Sequence, residues 1–291
     1  MALSKSTMFD PQLVADLVSK VKGHSSLAQL SGQIPVSFNG NKEFVFSLDK
    51  EIDVVAENGE KSEGGASVTP VIITPIKFEY GARVSDEFMY ASEEEQLNVL
   101  QAFNDGFAKK VAKGLDIAAM HGVNPRTGNA SAVIGTNHFD SKVTQTVKYV
   151  AASVDANIEA AIQLVEGAEG DITGMAAAPS ARQALANLKN TANERLYPEL
   201  AWGGQPGTVN GLAVDFNKTV AVGAVDEAIV GDFENMFKWG YAKEIPLEVI
   251  EYGDPDNSGK DLKGYNQVYL RAEVYLGWGI LDANSFARVI D

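Results

Sequence analysis

Between residues 43 and 84 the chain alternates apolar and polar positions twice, once outward and once on a return path. Phe44, Phe46, Leu48, Ile52 and Val54 hold even positions, while Ser47, Asp49, Glu51 and Asp53 take most of the odd ones. Val68, Ile72, Ile76, Phe78 and Tyr80 then share one parity against Thr69, Lys77 and Glu79. A period of two sends alternate side chains to opposite faces and predicts half-buried strands. Residues 57–65 between the runs have the composition of a turn. The expected element is one long two-stranded ribbon, with about ten residues per arm and an arm length of about 30 Å. Pro70 and Pro75 lie in the return arm, where each removes a ladder donor, so the ribbon reads as an edge or free-standing element. An isolated hairpin is marginal in water. Its apolar face is therefore expected to lie on another subunit.

Helical spacing appears in two places before residue 123. After Pro11, the residues Leu13, Val14, Leu17, Val18 and Val21 recur at intervals suited to a short helix that ends at Gly23. Residues 27–36 read as an extended lead into the ribbon. Farther on, Ser92 is placed as an N-cap and Glu93, Glu94 and Glu95 as an acidic first turn. Leu97, Leu100, Phe103, Phe107, Val111, Leu115 and Ala118 follow at intervals of three or four, and Gly122 is the expected stop. Such a helix is about 40 Å long, which suits a spine better than a packing unit of a compact enzyme.

From about 143 to 230 the texture is ordinary α/β. Helices are expected over 154–166 and 180–189, the latter capped by Ser180, and strands over 174–179, 213–216, 220–222 and 227–231. Residues 190–211 are rich in Gly, Pro, Asn and aromatics without a clear period, and loops of that length are usually functional. A second long hairpin closes the chain, with strands over 244–252 and 268–281 around a polar tip at 253–260.

Composition narrows the function classes. The 291 residues, 45% of them hydrophobic, bury a substantial core as one large or two smaller domains. The 39 acidic against 24 basic residues give a formal charge of −15, the wrong sign for gripping phosphates over a broad surface. There is no cysteine, hence no disulfide, thiolate chemistry or cysteine-ligated metal. No stretch has the apolar length of a membrane span and no secretory leader is evident, so a cytoplasmic protein is expected.

Short motifs add little chemistry. Residues 254–259 open like a calcium loop, but Tyr265 stands where a bidentate Glu belongs, and the stretch reads as a solvated hairpin turn. Gly259-Lys260 lacks the surroundings of a phosphate loop. His24, His121 and His138 are too far apart for a local two-histidine metal pair and read as surface or satisfied polar residues. No nucleophile elbow, zinc-protease motif or dinucleotide fingerprint is present. Asn129-Ala130-Ser131 and Asn217-Lys218-Thr219 match a glycosylation pattern that has no meaning without secretion.

These elements, in this order, resemble the major capsid proteins of tailed bacteriophages, the Hong Kong 97 fold. The likeness is carried by Asp53-Val54-Val55-Ala56-Glu57-Asn58-Gly59-Glu60-Lys61-Ser62-Glu63, Ala82-Arg83-Val84-Ser85-Asp86-Glu87 and Leu115-Asp116-Ile117-Ala118-Ala119-Met120-His121-Gly122. It continues through Asn210-Gly211-Leu212-Ala213-Val214, Val230-Gly231-Asp232-Phe233, Arg271-Ala272-Glu273 and Leu281-Asp282-Ala283-Asn284-Ser285-Phe286. Each motif is weak alone, and their order over roughly residues 25–291 is what is specific.

The resemblance implies an α+β capsid fold. In it, residues 1–40 are an N-arm, 41–82 an extended β-hairpin E-loop, and 83–130 a peripheral domain with a spine helix. Residues 131–230 are an axial domain whose loop near 190–211 faces the pore of each hexamer or pentamer, and 231–291 return to the peripheral domain. The tip at 253–264 is similar to the loop that meets neighbours around threefold axes. The implied function is self-assembly into hexamers and pentamers of an icosahedral head enclosing double-stranded DNA, with no enzymatic activity, cofactor or metal. Expected partners are further copies of the chain, a separate scaffolding protein (since the chain begins directly with the arm), a portal and a decoration protein. The implied location is the virion capsid, assembled in the host cytoplasm, with no membrane contact. Intersubunit contact candidates are Glu57, Glu60, Lys61, Glu63, Arg83, Asp256, Lys260 and Trp202. Some members join subunits by an isopeptide bond, and Lys61, Asn266 and Glu273 occupy comparable places, although a polar ribbon tip commonly holds a lysine anyway. The alternatives are an encapsulin-like nanocompartment shell and a soluble α/β enzyme using 131–230. The enzyme would need a titratable cluster in a pocket, and the sequence shows none.

Overall fold

The computed structural model describes residues 24–48, 50–90, 93–223 and 226–291. The helix expected after Pro11 and the Ser92 cap lie outside these residues. Strand β1 (Asn41–Leu48) pairs antiparallel with β2 (Ala66–Ile73), placing Phe44 opposite Pro70 and Phe46 opposite Val68. Each arm has eight residues, about 26 Å, so the ribbon is shorter than its hydrophobic period suggests. The return path breaks at Thr74-Pro75, and β3 (Ile76–Ser85) leaves to pair with β10 (Gln267–Ile280). Proline offers no ladder donor. The even parity of apolar residues nevertheless runs from Ile72 to Ile76 and Phe78 across the break, which makes two strands in different sheets read as one arm.

On its other edge β10 pairs with β9 (Phe237–Ile250), giving a three-stranded sheet in the order β3-β10-β9. Both strands of this expected hairpin have 14 residues. Before it, a chain of buried aromatics, Phe233, Phe237 and Trp239, runs from α6 (Phe233–Met236) into β9 and extends the strand toward its start.

A short helix, α1 (Ser26–Leu30), stands where an extended lead was expected. Ser25 caps it by accepting the Ala28 N–H, and Leu27 and Ala28 are buried. The long helix α2 (Glu93–His121) has 29 residues. It lays Phe107, Val111, Leu115 and Ala118 in one core with Ala272, Val274, Leu276 and Trp278 of β10. Gly122, with φ of +67°, ends it and returns its N–H to the Ala118 carbonyl.

The second core belongs to a mixed six-stranded sheet. Its strands are β4 (Thr146–Lys148), β5 (Gly174–Ala177), β6 (Thr208–Val209), β7 (Leu212–Phe216), β8 (Asp226–Gly231) and β11 (Phe286–Ile290), ordered β4-β11-β8-β5-β7-β6. Helices α4 (Val154–Gly167) and α5 (Pro179–Asn187) contribute Val154, Ile158, Val165, Ala181 and Leu185 to a core with Met175, Val214, Val230 and Val289. Helix α5 starts at Pro179, with Ala178 rather than Ser180 at the cap, because proline fits the first helical turn. Residues 220–222 form a turn, not a strand, and the Val220 N–H bonds back to the Asn217 carbonyl. Strand β11 was not expected. It carries residues 286–290 out of the three-stranded sheet region and into the larger sheet, between β4 and β8. Among the described residues, no helix is long and apolar enough to cross a membrane.

Candidate assembly surfaces and the buried hub

The ribbon turns the wrong face outward for a single chain. Its odd positions Glu43, Val45 and Val71 are half-buried and Ile73 is fully buried, whereas Phe44 (65% exposed), Phe46 (64%), Leu48, Val68 and Ile72 face solvent. Beyond the paired arms, Ile52 and Val54 are almost wholly exposed. Register explains the patch: Phe46 lies opposite Val68, Leu48 opposite Ala66 and Phe44 opposite Pro70, so one face of the ribbon is almost continuous hydrocarbon. Met89 and Tyr90, in the 3₁₀ turn Asp86–Tyr90, and Leu97 and Val99, on the first turns of α2, are also exposed. The predicted apolar stripe of α2 is thus covered only in its second half.

The charged contact candidates divide into two sets. Glu57, Glu60, Lys61 and Glu63 are exposed at the ribbon tip. Arg83, Asp256 and Lys260 are instead brought together within the chain. The Arg83 guanidinium donates to Asp256, to Asp254 at 2.7 Å and to the Lys260 carbonyl at 2.9 Å, and so fastens the β9–β10 tip to β3. This contact holds the Asp256 carboxyl well below the ordinary carboxylate range. Asp254 also accepts from the N–H groups of Ser258 and Gly259. Those bonds close the loop that resembles a calcium site in sequence.

Of the three isopeptide candidates, Lys61 and Asn266 are exposed, and Asn266 takes a left-handed φ of +52°. Glu273 is buried and pairs with Lys77 at 2.5 Å. That hydrogen bond, against a smaller opposing effect of burial, raises the Lys77 pKa. Trp202 is fully exposed in the 3₁₀ segment Pro198–Gly203, on a left-handed backbone with φ of +59°.

Beneath these surfaces lies a polar hub that local spacing does not disclose. At one end, the buried Asp116 of α2 accepts from the Ser25 hydroxyl (2.5 Å), the Ser26 and Leu27 N–H groups (3.0 and 3.2 Å) and the Thr219 hydroxyl (2.7 Å). It thereby holds the start of α1 and the turn after β7 on the long helix. Burial pushes its pKa up to about 6 in spite of the four donors.

At the other end, His121 joins Asp140, which lies on α3 (Phe139–Lys142), to Asp226 of β8 and Arg288 of β11. The His121 Nε2 lies 2.9 Å from the Thr219 carbonyl, which can only accept, so this nitrogen carries a hydrogen. Nδ1 lies 3.0 Å from an Asp140 carboxylate oxygen, so a proton is needed there too. Burial alone would lower the His121 pKa, but the bonds to Asp140 and Thr219 outweigh it and the pKa is raised. Arg288 places Nη2 2.7 Å from Asp140 and 2.9 Å from Asp226. Burial, together with the adjacent Asp140, pushes the Asp226 pKa up to about 7 against the pull of Arg288. Its Oδ2 has no hydrogen-bond donor among the described residues, so a proton there turns it into a donor toward Asp140.

His121, Asp140 and Asp226 also form the one grouping among the described residues with metal-ligand character, their ligand atoms lying within 4.8 Å of one another. The Arg288 guanidinium already supplies positive charge to both carboxylates, and protons supply the rest. The cluster is titratable, as an enzyme reading would require, with His121 and Asp226 buried and Asp140 half-buried. A sequence signal did exist: Arg288 is a lone charge in the apolar run Phe286-Ala287-Arg288-Val289-Ile290, and such a charge in a buried strand needs partners.

Comparison with known proteins agrees with the architecture. A solved chain of Mycobacterium phage Ogopogo is 34% identical and superposes with a TM-score of 0.77 over 92% of each chain. One from Gordonia phage Cozz is 25% identical, with a TM-score of 0.75 over 91% of this chain and 86% of that one. The capsid of a native gene transfer agent particle, at 16% identity and a TM-score of 0.65 over 91% of this chain and 89% of that one, shares the fold. No curated protein matches significantly. The family model described as the phage capsid family matches residues 7–290, and with the ribbon, the long helix and the two sheets in place, this chain belongs to that family and has the Hong Kong 97-type capsid fold.

Proposed function

We propose that the chain assembles into hexamers and pentamers of an icosahedral head that encloses double-stranded DNA. The observation that carries this reading is the inverted ribbon, whose hydrocarbon face stays exposed among the described residues. A contiguous bare apolar patch of this kind marks an interaction site, and the bare start of α2 offers a complementary surface on a second copy. In this reading β1–β2 with its tip is the E-loop, the three-stranded sheet and α2 form the peripheral domain, and the larger sheet forms the axial domain. Glu57, Glu60, Lys61 and Glu63 meet a neighbour at the tip. Lys61 and Asn266 meet only between copies, with Glu273 as the assisting carboxylate if an isopeptide bond forms. Many modest contacts of this type sum to a stable shell through multivalency. The charge of −15 suits a container that encloses DNA without gripping it. A scaffolding protein, a portal and a decoration protein complete the proposal, with assembly in the host cytoplasm.

Electron microscopy of the purified full-length protein, with light scattering to weigh the particles, tests it. Closed shells or capsomer rings are expected. A protein that stays monomeric alone and also with a co-expressed scaffolding protein would overturn the proposal, and shells filled with a cargo protein instead of DNA would favour a nanocompartment.

A further inference from the structure

Trp202 combines three properties that are rarely found together. Its side chain is 101% exposed, its backbone sits at φ +59° and ψ +25°, and it borders an open cavity of about 290 Å³. A large aromatic residue at positive φ is an outlier that costs free energy, and such outliers persist where function requires them. The surrounding chain holds the loop in place: Arg182 donates to the Leu200 carbonyl at 2.9 Å and Leu200 is fully buried beneath. The indole is thus displayed from a fixed base. The cavity beside it is lined by Arg182, Gln183, Asn187, Arg195 and Leu200. It offers two guanidinium groups and an apolar floor, the surroundings that favour the electron-rich face of an indole.

We infer that Trp202 of one copy docks into the Arg182–Arg195 notch of the next copy of this chain, head to tail around a closed ring. The inference rests on the assembly reading above and deepens it. Charge complementarity chooses the occupant, because each copy carries both the cation-rich notch and the π face that fills it. Geometry then constrains the location. The projecting group and its receptor lie side by side on one chain, and neighbouring copies bring such adjacent points together only close to a rotation axis. A heterologous contact of this kind closes into a ring where the rotation between copies closes, as in the capsomers of the proposed assembly. An exposed aromatic anchor entering a pocket with arginine is also the usual composition of an interface hot spot.

The chain carries its own reporter. Of its three tryptophans, Trp239 and Trp278 are buried and Trp202 is the exposed one. Acrylamide quenching of intrinsic fluorescence is measured on dissociated subunits and on rings or shells verified by microscopy. The accessible emission from Trp202 is expected in subunits and lost in assemblies. Trp202→Ala is expected to remove that accessible emission, leave the melting temperature of the subunit unchanged, and raise at least tenfold the protein concentration needed for rings. Arg195→Glu is expected to weaken rings likewise while Trp202 stays quenchable. Microscopically intact assemblies in which Trp202 remains as quenchable as in subunits would overturn the inference while leaving the capsid reading standing. So would protection of Trp202 only after DNA is added, which would assign the indole to nucleic acid. If microscopy finds no assembly under any condition, the capsid reading fails and takes this inference with it.

Discussion

The ribbon and the hub are inversions of each other. The hub buries charge, placing Asp116, His121, Asp226 and Arg288 where water is excluded, and satisfies it with partners drawn from widely separated parts of the chain. The ribbon exposes hydrocarbon, with Phe44 and Phe46 in solvent, and leaves it unsatisfied. Buried charge that is partnered across several elements fastens a chain to itself. Exposed hydrocarbon on a regular ladder is satisfied only from outside. Each region departs from the polar-out, apolar-in rule, and the direction of the departure separates the part that serves the fold from the part that serves the assembly.

The sharpest way to break this comparison is to charge the ribbon. Phe44→Glu combined with Phe46→Glu is expected to abolish rings and shells in sedimentation while shifting subunit stability by no more than about 0.5 kcal/mol, as for other surface changes. A large loss of subunit stability would show that the ribbon serves its own fold as well. Next in size is Arg288→Ala, which strands Asp140 and Asp226 with too little positive charge. Urea unfolding is expected to register a loss of about 3–5 kcal/mol, with only partial recovery in Arg288→Lys because an ammonium cannot span both carboxylates in the same way. An unchanged midpoint would mean that the hub carries no stabilising charge pairing.

Asp116→Asn is milder. It keeps the shape but replaces one acceptor oxygen with a donor among four donors, and about 1–3 kcal/mol is expected in the same assay. The smallest effect is that of pH. Asp226 titrates near 7 in the folded chain, well above the value of about 3.9 for a free Asp, so the folded state holds this proton more tightly than the unfolded one. Its contribution is complete below about pH 4 and is lost as pH rises through about 7. The raised pKa of His121 acts in the same direction, its contribution fading above about 6.5. Melting temperature is therefore expected to fall by about 2–4 °C between pH 6 and pH 8, and by less in Asp226→Asn. A rise over that interval would reverse the assigned protonation of the hub.

Much of this asymmetry was legible in the sequence, and the missing part has a physical reason. Alternation at Phe44, Phe46, Leu48, Val68 and Ile72 reported the two faces of the ribbon and pointed to an outside partner for one of them. The spacing from Phe103 to Ala118 likewise reported α2. Periodicity records which way a residue faces but not which strand it pairs with, so Ile72 and Ile76 looked continuous although Pro75 separates two sheets. The hub escaped because His121, Asp140, Asp226 and Arg288 are neighbours only after folding. The α1 helix escaped because five residues are too few for a period to show, and beyond its local Ser25 cap its first N–H groups, those of Ser26 and Leu27, are taken up by Asp116 on another element. Arg83 and Asp256 were singled out for contacts between subunits, and the fold has already joined them to each other.

The root of the ribbon has a mechanical consequence. Ile73 is fully buried, its side chain seated over Gly277 and Gly279 of β10, where an added Cβ would lie 3.1 and 2.9 Å from it. The rest of the ribbon extends from this point as a cantilever. With a paired length of about 26 Å, a tilt of about 10° at the root displaces the far end by about 5 Å. In the proposed shell, bending at this single fulcrum would let one sequence reach neighbours set at different angles, so that a lever arm rather than redesign of each contact would take up the curvature.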